Sequence, residues 1–524
     1  MTSLKEYKGS FGRRELMHLL RRSLFGVSAE DLQAFEGMTL VKVVDQLLSP
    51  GKFDLPLPVN DYDQVGNSGV GYGMPWLGQP YQNADDDGLR LGSMRKWSMG
   101  VMIRQDHSLR EKMTLFWHNH FATQMSIARS ELIWQHFELL RTNALGNFKT
   151  LCKNITLDAH MLRFLNGELN TALAPNENYA RELQELFCIG KDHAAGYSES
   201  DVKEAARILT GWKVDLDSSK VEFHPEDHDV NDKQFSAFYN NTLVKGRTGK
   251  EGGLQELDAL IDIIFQKKET AIFICRKLYR WFVNDQIDED TEKNIIAPLA
   301  STFSGSGFEI VPVLRQLLES KHFFDKSFRG SQFKSPLEFC IGIHREFGIP
   351  CRLDADHGVQ YSMLQLLVET SAEMAQLYGE PPNVAGWPAY YQAPSYYDIW
   401  INSSTLPKRN EYSSTLVDFG FNREGRFFTI DVIGFARSLS DPSDPNLLIR
   451  ESLERLVSLE IDPSIAMNLK KEVLLSGQDS DHYWTEAWND LQADPGHAGK
   501  KNTVEARLRK LYRYILNSPE YQLN

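Results

Sequence analysis

Apolar residues recur every three or four positions along most of this chain, the period of helices that bury one face. Leu16, Leu19, Leu20 and Leu24 open the pattern, and Ser28 with Asp31 three residues on reads as a capping box for a second helix. A third runs from Leu40 to Leu48 and stops at Ser49-Pro50-Gly51. Helical spacing resumes near Leu89 and continues through LREKMTLFWHNHF, then over 130–145, 148–157, the segment after Pro175, and a helix capped by Ser198 and ended by Gly211. Between Trp212 and Thr248 weak alternation (WKVDLD, VEFH) predicts a short hairpin. Helices follow over 254–266, 269–283, 310–318, 335–348 and 364–377, and again through most of 430–524.

Two stretches break the period. Residues 52–87 and 379–410 are rich in Gly, Pro, Asn and aromatics, the composition of long functional or interface loops. No short-period repeat occurs. The pattern predicts a mainly α protein: a large multi-helix body with two long loops and at most a short β-hairpin. A main body over 1–410 would carry the motifs, with a C-terminal helical region, 411–524, packed on it.

Composition narrows the picture little. With 524 residues, 42% of them hydrophobic, the chain can bury a core that needs neither disulfide nor metal, so a metal here would be functional before it is structural. A net charge of −14 argues against a general nucleic-acid binder. Arg13, Arg14, Arg21 and Arg22 read as a solvated face of the first helix. The five cysteines are widely spaced with no CxxC pair, and Cys188, Cys275 and Cys340 sit in apolar runs as small core residues, which fits a reducing compartment. The N-terminus has no signal-peptide pattern and no run of about 18 apolar residues occurs, so the expectation is a cytoplasmic protein with no membrane span.

Three segments carry chemistry. In LREKMTLFWHNHF the stripe Leu109, Met113, Phe116 and Trp117 takes His120 inward with it. His118 lies about 200° away on an ideal helix, so both imidazoles reach one site only if the helix ends or bends there. In NENYARELQELF, Asn178, Glu182 and Glu185 share a face opposite Tyr179, Leu183, Leu186 and Phe187. Glu177, Arg181 and Glu185 also make an i, i+4 ion-pair ladder of the kind any exposed helix carries, which leaves Glu182 the better candidate. In FHPEDHD, His224 and His228 are four apart and Asp229 follows. Convergence of the three segments would give a divalent-metal site from His118, His120, Glu182, Glu185, His224 and His228, with His120, Glu182, Arg181 and Asp229 in catalytic roles. The bland reading is a set of core residues satisfied by backbone carbonyls and Asn119.

Other chemistries lack support. KGRTGKEGG departs from phosphate-loop spacing, and no nucleotide or flavin signature, HExxH or GxSxG motif is present. PPNVAGWP reads as a structural plug, although Trp387, Tyr390 and Tyr391 could wall a pocket.

Taken together these segments resemble the family known as domain of unknown function 1800. The likeness runs through HLLRRSLFG, REKMTLFWHNHFAT, NENYARELQELFCIG, GYSESDVKEAARILTGW, the His228-Asp229 pair, FICRKLYRWFV, FKSPLEF, PPNVAGWP, LPKRN and the terminal SPEYQ. The residues matching its motifs are Trp117, His118, Asn119, His120, Asn178, Arg181, Glu182, Glu185, Gly211, Trp212, His228 and Asp229. The resemblance implies no settled activity. Many members look exported, and many are encoded beside a sulfatase-like protein, which the resemblance offers as a partner; this chain departs in lacking an export signal. Two functions are expected from different classes. One is a metal-dependent hydrolase or oxidoreductase acting on an unknown substrate. The other is a non-enzymatic partner or polymer-binding protein in which the same residues form a buried structural network and the aromatic loops are the working surface.

Overall fold

A computed structural model describes residues 3–51, 55–191 and 196–524. The chain is mainly α, as its periodicity predicts, with three two-stranded antiparallel ladders among the described residues. The expected hairpin pairs Trp212–Asp215 with Lys220–Phe223, Trp212 opposite Phe223. The other two ladders are two and three residues long, too short to leave an alternation in the sequence.

Local signals place the helix starts. Ser28 and Asp31 exchange bonds at 2.8 and 3.1 Å, Ser198 receives the Asp201 N–H in the same way, and Ser335 caps the helix Pro336–Glu346 with Pro336 at its first position. Tertiary packing then joins elements far apart in sequence. Asp86–Ile103 lies on His357–Glu373, Lys268–Phe282 on Ala297–Gly305, and Thr405–Asp418 on Ala498–Asn517. One hydrophobic core runs from Leu16 to Tyr521. Position 410 falls inside the helix Thr405–Asp418, where buried Arg409 donates to the Lys334 carbonyl and to Gln522.

The long loops are built structures. Residues 52–54 lie outside the described residues, but beyond them Asn60 donates to the Val70 and Asp63 carbonyls, and buried Trp76 donates to Ser93. In 379–410, Trp387, Tyr396, Tyr397 and Trp400 are buried, and the burial of Trp387 fits the plug reading of PPNVAGWP. Among the described residues no helix is long and apolar enough to cross a membrane.

The first helix corrects one expectation. Arg13 and Arg14 are exposed, but Arg21 and Arg22 are buried. Arg21 donates to the Glu454 carbonyl at 2.9 Å, and Arg22 to the Phe328 carbonyl at 2.7 Å and Ser331 at 3.0 Å. Burial pulls both guanidinium groups down to about 10. Their faces of the helix meet neighbouring segments that carry free carbonyls, a long-range fact that helical periodicity cannot report.

Candidate functional site

The helix Arg110–His120 ends at the motif itself, where Phe121 N–H bonds back to the Trp117 carbonyl at 2.7 Å. Successive residues on a helix point about 100° apart, so four consecutive side chains at this end address four different neighbours. Trp117 donates its indole N–H to the Ala144 carbonyl at 3.0 Å and stacks on Phe148. His118 sits among Phe137, Tyr378 and Trp387, ring centroids 4.7, 5.5 and 5.4 Å away. Asn119 Oδ1 accepts the Trp387 backbone N–H at 2.9 Å. His120 Nε2 donates to the Phe187 carbonyl at 3.0 Å.

The last bond fixes a tautomer. A carbonyl only accepts, so Nε2 holds the proton and Nδ1 offers a lone pair, which takes a hydrogen bond from Lys277 Nζ at 3.0 Å. Burial, then the neighbouring ammonium, holds the imidazolium well below its ordinary pKa. Lys277 also donates to the Leu186 carbonyl at 3.2 Å. Those two carbonyls are free because the helix starting at Asn178 passes into a π-turn over Leu183–Cys188, where Ile189 and Gly190 N–H both bond to the Gln184 carbonyl. His120 and Lys277 finish what that turn leaves open.

Burial, then Arg280, pulls the Lys277 ammonium from 10.5 to about 7, although its side chain is only half-buried. Between those pH values the unfolded chain binds a proton that the folded chain has released. The lysine's contribution to stability therefore rises with pH across the window and is least below pH 7. In urea titrations, the stability of wild type minus that of Lys277→Met should grow from pH 7 to 9.5 by at least about 1 kcal/mol, after discounting for partial exposure. A flat or falling difference would refute the shift. The sequence carried a signal for this residue: a lysine inside the apolar run FICRKLYRWF.

The other two segments settle elsewhere. Arg181 bonds Glu177 at 3.1 Å and Glu199 at 2.7 Å and lies 3.9 Å from Glu185, which pairs with Lys191 at 3.0 Å. That is the ladder of the bland reading. Glu182 differs: it is half-buried, and its Oε2 has no hydrogen-bond partner among the described residues. Burial, then Glu185, raises its pKa.

His228 Nδ1 donates to the Thr210 carbonyl at 3.0 Å, and its Nε2 lies 3.3 Å from Glu256 Oε1. Glu256 also pairs with Lys233 and accepts the Arg247 N–H at 2.6 Å. Asp229 takes Arg207 at 2.7 Å, and that partnership and its backbone bonds outweigh burial to bring its carboxyl to about 2. Gly211 (φ +90°) lets this knot close, since a Cβ there would lie 2.9 Å from the His224 carbonyl. His224 itself is half-buried between Glu222 and Glu226.

His118 has neighbours that sequence reasoning missed. His136, on the helix Ser130–Thr142, holds Asp158 at 2.8 Å through Nδ1 and lies 3.4 Å from Thr123 through Nε2. Its ring stands 5.2 Å from that of His160. His118 and His160 are fully buried, and neither ring nitrogen of either has a hydrogen-bond partner among the described residues. Burial, then His136, pulls His118 down to about 3 and His160 well below the ordinary range, so both are neutral. Each of His136 and His160 is a lone histidine on an apolar face, and only their meeting in space makes them notable.

The six expected ligands thus divide among separate environments: His118, His120, the Glu182–Glu185 face, half-buried His224 and buried His228. Among the described residues no group of three or more His, Cys, Asp or Glu side chains is arranged to hold a metal ion. The single convergent site expected from the three segments is not what this arrangement brings together. Trp117, Asn119, His120 and Asp229 bond instead to partners on different elements.

No curated protein and no solved structure matches the chain. The family described as "Protein of unknown function (DUF1800)" matches over residues 18–523, from the buried His18 through the WHNHF helix to the C-terminal turn. The chain therefore belongs to the DUF1800 family over nearly its whole length.

Proposed function

We propose that this chain is a binding protein whose motif residues lock a helical scaffold and whose working surface is an apolar groove with a cationic rim. One observation carries the reading. Two adjoining cavities, about 610 and 530 Å³, share Leu453, Val457 and Ile461 and run between the first helix and the helix Ala498–Asn517. The first is lined by six cations, Arg13, Arg14, Arg21, Lys326, Arg329 and Arg450, against two carboxylates, Glu454 and Glu460. The second adds Lys510 and Arg513 against Glu520. In a chain of net charge −14 the lining itself carries more cations than carboxylates, with Arg329 paired to Glu15 at 2.8 Å and Arg513 to Asp418 at 2.6 Å beside it. Exposed pairs such as Arg14–Glu460 at 2.9 Å are screened by solvent, contribute little, and exchange readily for a partner's carboxylate.

The occupant this chemistry fits is an acidic amphipathic segment of a partner protein, its apolar side chains on the floor and its carboxylates at the rim. The sulfatase-like protein suggested by the family resemblance is the first partner to test. Arg14, Lys326 and Arg450 are exposed, so the triple variant R14E/K326E/R450E should keep its Tm while binding that partner at least about 10-fold more weakly, with a loss that shrinks at high salt. No binding by wild type, or equal binding by the variant, would sink the reading.

A second reading, metal-dependent hydrolase or oxidoreductase chemistry, is favoured by the four ring nitrogens of His118 and His160 that have no hydrogen-bond partner among the described residues, beside the His136–Asp158 pair. A carboxylate-held histidine is a common outer support for a metal ligand. It requires these imidazoles to turn toward one another. Metal analysis after incubation with zinc, manganese and copper tests it: less than about a tenth of an equivalent bound, with unchanged Tm, removes it.

A further inference from the structure

On the first helix, Arg13–Ser23, the side chains of Arg14, Met17, His18 and Arg21 fall three and four residues apart on one face and line the larger groove cavity. Arg21 differs from the other buried arginines there and nearby. Arg22 and Arg409 are also buried without a carboxylate partner, but both terminal nitrogens of each are taken. Arg22 reaches Gln332, Phe328 and Ser331, and Arg409 reaches Gln522 and Lys334. Arg21 uses only Nη2, which donates to the Glu454 carbonyl at 2.9 Å. Its Nε is buried with no partner, and its Nη1 donates to no protein group among the described residues. We propose that Arg21 anchors a free chain end: the groove takes the C-terminal carboxylate of its partner segment, with the last side chain on the apolar floor. The assignment rests on the reading of that groove as the working surface.

A buried guanidinium without a counter-ion is the unfavourable state of this side chain, because water has been removed and no opposite charge replaces it. Arg21 is 5% exposed and forms no ion pair among the described residues. Of the two carboxylates that line the cavity, Glu460 pairs with Arg14, and Glu454 gives Arg21 only its backbone carbonyl. Buried Glu346 is committed to the Tyr521 hydroxyl at 2.6 Å, with Lys334 3.9 Å away. A ligand carboxylate would supply the missing charge to a guanidinium that the Glu454 carbonyl already holds in place.

His18 narrows the kind of carboxylate. It lies three residues before Arg21 and lines the same cavity. Its Nε2 meets the Phe323 carbonyl at 3.0 Å, and a carbonyl only accepts, so Nε2 carries the proton and Nδ1 keeps a lone pair. Burial, then Arg22, pulls His18 down to about 3, so the ring is neutral. Nδ1 accepts no hydrogen bond among the described residues. The cavity therefore sets a hydrogen-bond acceptor beside a cation. A fatty acid presents a carboxylate alone, whereas the last residue of a peptide presents a carboxylate and, on the adjacent carbon, an amide N–H. Met17, Leu453, Val457 and Ile461 offer the apolar floor for that residue's side chain.

The test uses the full chain and three small probes in calorimetric titrations at constant ionic strength. N-acetyl-leucine carries the carboxylate, the N–H and an apolar side chain. N-acetyl-leucinamide lacks the charge, and 4-methylpentanoate lacks the N–H. N-acetyl-leucine should bind saturably, the amide at least about 10-fold more weakly, and 4-methylpentanoate about 3-fold more weakly. Arg21→Gln should bring acid and amide to within about 2-fold of each other. The wild-type ratios decide even if that variant fails to fold. No binding of the acid, equal binding of acid and amide, or 4-methylpentanoate binding as tightly as the acid would overturn the inference. The groove reading is judged separately, by partner binding in R14E/K326E/R450E, which leaves Arg21 in place.

Discussion

Glu256→Ala should lower the stability of the protein by about 3–5 kcal/mol, measured as a shift in the urea unfolding free energy at pH 7. Glu256 and Lys233 have fully buried side chains, and the ammonium's contacts are this carboxylate and the Asp229 carbonyl. Removing the carboxylate leaves an uncompensated charge in the interior, frees the Arg247 N–H that it accepts at 2.6 Å, and strips His228 Nε2 of its partner. The effect belongs to the broken pair rather than to the pair itself. Adding Lys233→Met to Glu256→Ala should therefore recover at least about half of the loss. A single-variant cost under about 1 kcal/mol would mean that water reaches this knot and that it is no structural joint.

Gly386→Ala should be the most damaging small substitution in the second loop, costing about 2–4 kcal/mol and loosening 379–410. Two effects add. The backbone stands at φ +93°, where a Cβ is strained, and the new methyl would lie 2.6 Å from the Asn119 backbone carbonyl and 2.3 Å from its Oδ1. Backbone on one side and the bond from Trp387 N–H to Asn119 on the other leave no room to relax. Gly425 separates the two effects: its φ is +79°, and nothing lies within 4 Å of the added carbon. Gly425→Ala should cost only about 1 kcal/mol, the strain alone. Faster proteolysis within 379–410 for Gly386→Ala, but not for Gly425→Ala, is the companion readout. Equal costs at the two positions would show that the Asn119–Gly386 contact carries no load.

Much of this was legible in the chain. Helix starts follow from Ser28, Ser198 and Ser335 because caps are local chemistry, and the centrality of WHNHF follows from four polar and aromatic residues ending an apolar stripe. The Glu177–Arg181–Glu185 ladder stands as i, i+4 spacing requires. Convergence was not legible. Reading Glu182 and Glu185 toward His120 assumes an unbroken 3.6-residue period, and the π-turn at Leu183 breaks it. His136, His160 and Lys277 each look like an ordinary member of an apolar helix, since what marks them is a neighbour more than ten residues away. Arg21 and Arg22 fail for the same reason: their partners lie some 300 or more positions along the chain.

The π-turn also says something about length. It holds one residue more than an α-helix would need to cover the same span, and that surplus is what aims the Leu186 and Phe187 carbonyls at Lys277 and His120. A relative one residue shorter across 183–188 would swing everything after the deletion by about 100° and point those oxygens elsewhere. A gap of one in this short stretch would be a change of aim, and a chain that tolerated it would need a different way of closing the end of that helix.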